Sequence, residues 1–72
     1  MNKFNPKKLL LSKWTARQPK EKEKHFIVVK IEFDETKTDV LSCTLEALMT
    51  KKRYKTYPEE LQNNQAWLQG WK

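Results

Sequence analysis

The chain is short of the residues that most protein chemistry draws on. Cys43 is the only cysteine in 72 residues, so no disulfide can form within the chain. His25 is the only histidine, which leaves no His/Cys cluster of metal-ligand spacing. Gly70 is the only glycine, which rules out a glycine-rich phosphate loop. The longest apolar runs are three or four residues, against the ~20 needed for a membrane-spanning helix. The run Leu9–Leu11 is broken by Lys13, short of the ~7–15 residue core of a signal peptide. No internal repeat or low-complexity segment is present. These absences predict a cytoplasmic protein with a reduced Cys43, with no metal, no cofactor and no membrane association.

A domain of this length buries only about 60% of its unfolded surface, and here neither disulfide nor metal is available to reinforce the core. What the chain does have is aromatic bulk: Trp14, Trp67, Trp71, Phe4, Phe26, Phe33, Tyr54 and Tyr57. Each ring can bury roughly 150–250 Å², enough for a few of them to supply much of a small core. It also has charge, +6 overall and unevenly spread. Residues 1–30 carry +7, residues 31–49 carry −4, residues 50–57 carry +4 and residues 58–72 carry −1. A field polarised in this way favours acidic partners, nucleic acid among them.

The densest apolar stretch is His25–Phe33. It alternates His25, Ile27, Val29, Ile31 and Phe33 against Phe26, Val28, Lys30 and Glu32, the period of a strand. The first set predicts an almost wholly apolar face; the second begins apolar (Phe26, Val28) and ends charged (Lys30, Glu32), which predicts a strand covered on both sides at its start and wet on one side later. Before it, residues 1–8 read as loosely ordered unless Phe4 docks. Leu9–Ala16 reads as an extended element, with a helical turn at Leu9–Leu11 as the alternative. Gln18–Lys24 reads as an exposed connection, because Pro19 lacks a ladder donor and the alternating charges have no apolar face. After it, Asp34–Asp39 predicts a hairpin turn. Val40–Met49 predicts a strand with Leu41, Cys43, Leu45, Ala47 and Met49 on one face; residues 45–49 also have helical propensity. A basic turn, Thr50–Arg53, leads into a strand at Tyr54–Tyr57. Pro58-Glu59-Glu60 predicts a helix start with Leu61 inward, Asn63 or Asn64 ending it, and another short turn over Gln65–Gln69. Gly70 predicts a positive-φ stop. The pattern as a whole predicts one domain, residues 1–72, that is mainly β: a small antiparallel sheet, or an SH3-like or OB-like barrel, with a short C-terminal helix.

Leu-Leu-Leu-Ser-Lys-Trp-Thr-Ala (9–16), Lys-His-Phe-Ile-Val (24–28), Leu-Glu-Ala-Leu-Met-Thr (45–50), Pro-Glu-Glu-Leu (58–61) and Trp-Leu-Gln-Gly-Trp (67–71) together resemble the small tryptophan-rich family of uncharacterised bacterial proteins. The match runs through Lys13, Trp14, His25, Phe26, Trp67, Gly70 and Trp71, with Tyr57 where the family often has tryptophan or another large residue. The resemblance implies one compact bacterial domain and no particular chemistry.

Catalytic candidates are few. His25 has no nucleophile placed near it by sequence. Cys43 shares a face with Leu41 and Leu45 and reads as a small hydrophobe. Glu59 and Glu60 are adjacent, so on a helix they do not face each other, and a solvated first turn accounts for both. The expectation is therefore a non-enzymatic binding module. Lys51, Lys52, Arg53 and Lys55 cluster around Tyr54 and Tyr57, and Lys13 and Arg17 flank Trp14. Cations neutralise phosphates and exposed rings stack on bases, so Lys13, Trp14, Arg17, Lys51, Lys52, Arg53, Tyr54 and Lys55 form a candidate surface for RNA or single-stranded nucleic acid. The alternative is a protein partner held in an aromatic groove or on a strand edge. The position of the rings separates the two. Rings among lysines on an open surface favour nucleic acid, whereas rings lining a groove with acids at its rim favour a peptide.

Overall fold

The computed structural model describes residues 4–20 and 22–72, with the side chains of residues 6 and 20 left aside. After a single 3-10 turn at Pro6–Lys8, the chain forms β1 (Lys13–Lys20), β2 (Glu23–Phe33), β3 (Val40–Ala47), β4 (Arg53–Thr56), α1 (Pro58–Gln62) and β5 (Trp67–Gln69). All strand pairs are antiparallel, and the order across the sheet is β4-β3-β2-β1-β5. The architecture is thus a five-stranded sheet with one short helix, β4 and β5 lying at its opposite edges. Of the sheet and barrel expected from sequence, the sheet is the one formed.

Cross-strand neighbours point to the same face, so the register sorts the side chains. Trp14 faces Phe26, Phe26 faces Ala47, and Val28 faces Leu45. These residues, with Leu9, Cys43 and Leu61, are the buried core. Leu61 belongs to α1, which packs on β3 and β5 and closes this side of the sheet. Fully burying a leucine is worth about 1.5–3 kcal/mol, which is how a five-residue helix with no side-chain N-cap bond holds its place. Pro58 sits in its first turn with Glu59 and Glu60, as expected, and Asn63 is its C-cap. Phe4 docks edge-on against Trp14, with centroids 6.1 Å apart. Residues 1–3, the rest of the expected loose start, lie outside the described residues.

Several expectations are corrected. In β2 the almost wholly apolar set is only half-buried at Ile27 and Val29, while Phe26 and Val28, whose face was expected to be covered at the start of the strand, are buried. A bulge between Val28 and Lys30, where Val29 and Lys30 together oppose Thr44, then shifts the phase and brings Ile31 opposite the buried Cys43. The alternation is real, but one extra residue exchanges the faces midway. A second irregularity, where the end of β2 meets the start of β3, leaves Leu41 as the extra residue, turned outward and 55% exposed, while Val40 packs on the core. Met49 lies beyond the end of β3, in a turn that begins at Leu48, so residues 45–49 are strand to Ala47 and turn thereafter.

Gln18–Lys24 is mostly strand rather than connection. β1 reaches Lys20 and pairs with Glu23 across a tight hairpin, apart from Glu21, which lies outside the described residues. Pro19 is tolerated because it stands in the stretch between Thr15 and Lys20 where the β1–β2 ladder is interrupted, so no ladder donor is required of it there. Residues 67–69, expected as part of a helical turn, are β5: Ala16 faces Trp67 and Thr15 faces Leu68. Gly70 stops that strand at φ +82°, as expected. With one glycine available, the chain places Leu11, Lys22, Lys37 and Lys51 in the left-handed region as well, at φ 58–65°. Each such side chain costs roughly 1–2 kcal/mol, a local expense met by the sheet around it.

Candidate binding groove

A cavity of about 520 Å³ opens on the core side of the sheet, between the β3–β4 edge, α1 and β5. Phe26 and Leu45, neighbours on β2 and β3, contribute its apolar lining. Tyr54 reaches it from β4 because it stands directly opposite Leu45, and Trp67 reaches it from β5 because it stands opposite Ala16. The Tyr54 and Trp67 rings both meet Phe26 edge-on, with centroids at 6.2 and 5.2 Å and interplanar angles of 70° and 80°. Three rings from three strands therefore converge on one hollow, a volume within the usual range for ligand sites of about 300–1,000 Å³.

The polar lining is acidic. Glu23 is 6% exposed and accepts hydrogen bonds from the hydroxyls of Thr50 and of Tyr54, the latter at 2.6 Å. These two bonds hold its carboxyl below the ordinary value near 4.5, helped by the positive charge of Lys52 and opposed by partial burial. Glu60 accepts from the buried Thr56 hydroxyl at 2.6 Å. Its charge also reaches Cys43: burial first, and Glu60 second, push that thiol up to about 11. Cys43 is accordingly a protonated core residue at neutral pH. Lys55 contributes to the rim.

The eight residues proposed from sequence as a nucleic-acid surface do not form one patch. Trp14 is 1% exposed, with its indole N–H donated to Ser12 Oγ at 2.8 Å, so it has no face to offer a base. Alternation along β4 points Tyr54 into the groove and sets Arg53 opposite Glu46 on the other face, while Lys55, opposite Thr44, still reaches the groove rim. Arg53 Nε lies 3.0 Å from Glu46 Oε1, so part of its charge is already answered. Lys51 and Lys52 occupy the exposed turn before β4. Lys13 and Arg17 are exposed on β1, three strands away in the sheet order. Sequence reasoning missed Glu23, which it assigned to a connection, and read Glu60 as a solvated first turn. The spacing Thr56 to Glu60 was a usable signal; nothing local marked Glu23, whose partners are 27 and 31 residues away.

On the opposite, open face the chain folds back after Gly70. Thr15 Oγ1 donates to the Gly70 carbonyl at 2.7 Å and accepts from the Lys72 N–H at 2.9 Å. Trp71 donates its indole N–H to the Phe26 carbonyl at 3.0 Å. Its ring, 42% exposed, lies beside His25 and 4.7 Å beneath Lys13 Nζ. Gly70 thus separates the two C-terminal tryptophans onto opposite faces, where a helical turn would have stacked them. A second cavity of about 440 Å³ lies near the N-terminal turn and is lined by Lys8 and Lys13 among others. Among the described residues no group of three or more His, Cys, Asp or Glu comes together as a metal site, and no helix is long and apolar enough to cross a membrane.

No curated protein and no solved structure matches the chain. Residues 12–72 match the family described as tryptophan-rich protein (DUF2389), a span that takes in every strand, the helix and both faces just described. The chain belongs to that tryptophan-rich family.

Proposed function

We propose that this domain is a non-enzymatic protein-interaction module whose groove receives an extended segment of a partner. The observation that carries this reading is the convergence of Phe26, Tyr54 and Trp67 on one cavity that also holds Glu23 and Glu60. Stacking of bases needs exposed rings among cations, and two carboxylates beside the rings repel phosphate. An extended peptide needs an apolar hollow for a side chain and polar groups to orient it, and the groove supplies both. β4 is also an edge strand of four residues, next to the groove, where a peptide backbone can pair.

Selection of a random-peptide library on the immobilised domain tests this, with Trp67→Ala as the counter-target. The expected result is a family of peptides that bind the natural sequence and are lost with Trp67→Ala. Failure to enrich any peptide, or enrichment indifferent to that substitution, would overturn it.

A second reading is favoured by Lys13 over the half-exposed Trp71 ring, with Lys8 in the cavity nearby. In that reading the open face, rather than the groove, binds RNA or single-stranded nucleic acid. A titration with short single-stranded RNA distinguishes it: the Trp71 environment changes and the effect fades steeply between about 50 and 200 mM salt.

A further inference from the structure

We infer that the groove is selective for an arginine side chain of the partner, held between the Trp67 and Tyr54 rings with its N–H groups on Glu23 and Glu60. The inference rests on the reading of the groove as a peptide site and names what that site selects. Its first support is charge. The protein carries +6, yet the lining of its aromatic cavity holds two carboxylates and one lysine, so the hollow has the opposite sign to the molecule. Anionic ligands drawn to the protein as a whole are repelled there, and cations are drawn in.

The second support is the hydrogen-bond inventory. Glu23 accepts from two hydroxyls and Glu60 from one, all neutral donors. A carboxylate has about four lone-pair sites, so acceptor capacity remains on both. Lys55 is exposed at the rim, and the charge of Lys52 acts on Glu23 from outside the lining, so both temper the site. The third support is the rings. Aromatic faces attract cations most strongly when water is excluded. A guanidinium is planar and weakly hydrated, stacks on rings and forks onto carboxylates, whereas a lysine ammonium is a compact, strongly hydrated point charge. A cavity of about 520 Å³ also exceeds one side chain, leaving space for the backbone that presents it.

The test uses the full chain labelled with nitrogen-15, observing the three indole N–H signals during titration. The probes are short acetylated alanine peptides with one central residue: arginine, its neutral isostere citrulline, or leucine. The expected result is a saturable shift of the Trp67 signal by the arginine peptide, with Trp14 unmoved. Citrulline should bind about tenfold more weakly, a difference of about 1.4 kcal/mol. Glu60→Gln, which keeps an amide oxygen to accept from Thr56 and leaves Leu61 in place, should weaken arginine about fivefold while circular dichroism shows the fold retained. Binding of leucine or citrulline as tight as arginine, through Trp67, overturns the arginine inference and leaves the peptide reading standing. A Trp67 signal unmoved by all three peptides overturns the arginine inference, and the library selection then decides the peptide reading separately. A Trp67 shift produced by single-stranded RNA but not by the arginine peptide overturns both.

Discussion

The two faces of this sheet use the same residue types to opposite effect. On the core face, Phe26, Tyr54 and Trp67 surround a hollow whose carboxylates are held by hydroxyls. On the open face, Trp71 lies between His25 and Lys13, and Glu46 is held by Arg53. Rings with acids occupy one side and a ring with cations the other, although the residues alternate along the same strands. Net charge therefore described the molecule and misdescribed the groove. A basic chain holds a groove lined by two carboxylates and a single lysine because β4 turns Tyr54 toward it and Arg53 away from it.

The largest expected effect tests whether the two tryptophans differ as their faces do. Trp14→Ala should cost about 3–5 kcal/mol, as a large core truncation does. Trp71→Ala should cost about 1–2 kcal/mol, the scale of one hydrogen bond and one cation–π contact. Urea unfolding followed by circular dichroism measures both, and equal losses would erase the distinction between the faces. The turn that separates Trp67 from Trp71 comes next. Gly70→Ala places a side chain at φ +82° with its nearest neighbour, Lys72 Cε, 4.0 Å away, so there is backbone strain without a clash. The left-handed penalty, partly offset by a less flexible unfolded chain, predicts a loss of about 1 kcal/mol.

The two partnered carboxylates sharpen the comparison further. The folded protein lowers the Glu23 carboxyl from its ordinary value near 4.5 through the Thr50 and Tyr54 hydroxyls. The folded state thus binds fewer protons than the unfolded state as the carboxyl titrates. Its contribution is present above about 4.5 and is lost as pH falls through the lower folded value. Glu23→Gln should flatten the acid limb of a stability–pH profile; an unchanged limb would contradict the hydrogen-bonded placement. The flattening will be partial, because Asp34 is also lowered: burial works against it, but bonds from Thr38 and Thr36 outweigh that. The smallest effect belongs to the open face. Arg53→Ala removes an ion pair whose arginine side chain is 65% exposed, and should cost only about 0.2–1 kcal/mol, shrinking with salt. A loss well above that range, or one indifferent to salt, would show the pair to be more than a solvated contact.

Strand periods, the Asp34–Asp39 turn, the Pro58 helix start with Leu61 inward and the Gly70 stop were all legible from the sequence, because each depends on neighbours within a few residues. So was the family, whose tryptophan-rich pattern is a property of the chain itself. The face each strand buries was not legible. That choice turned on the single extra residue at Val29–Lys30 and on ladders pairing residues far apart in the chain. Pro19 could stand in a strand because the β1–β2 ladder is interrupted between Thr15 and Lys20, and Trp67 became a strand residue only because β1 offered it an edge. The groove is likewise a tertiary product. Glu23 meets Tyr54 across 31 residues, and Phe26 meets Trp67 through two ladders. Local composition sets what each segment can form; only long-range pairing decides which side chains share a hollow, and so where the charge and the rings come together.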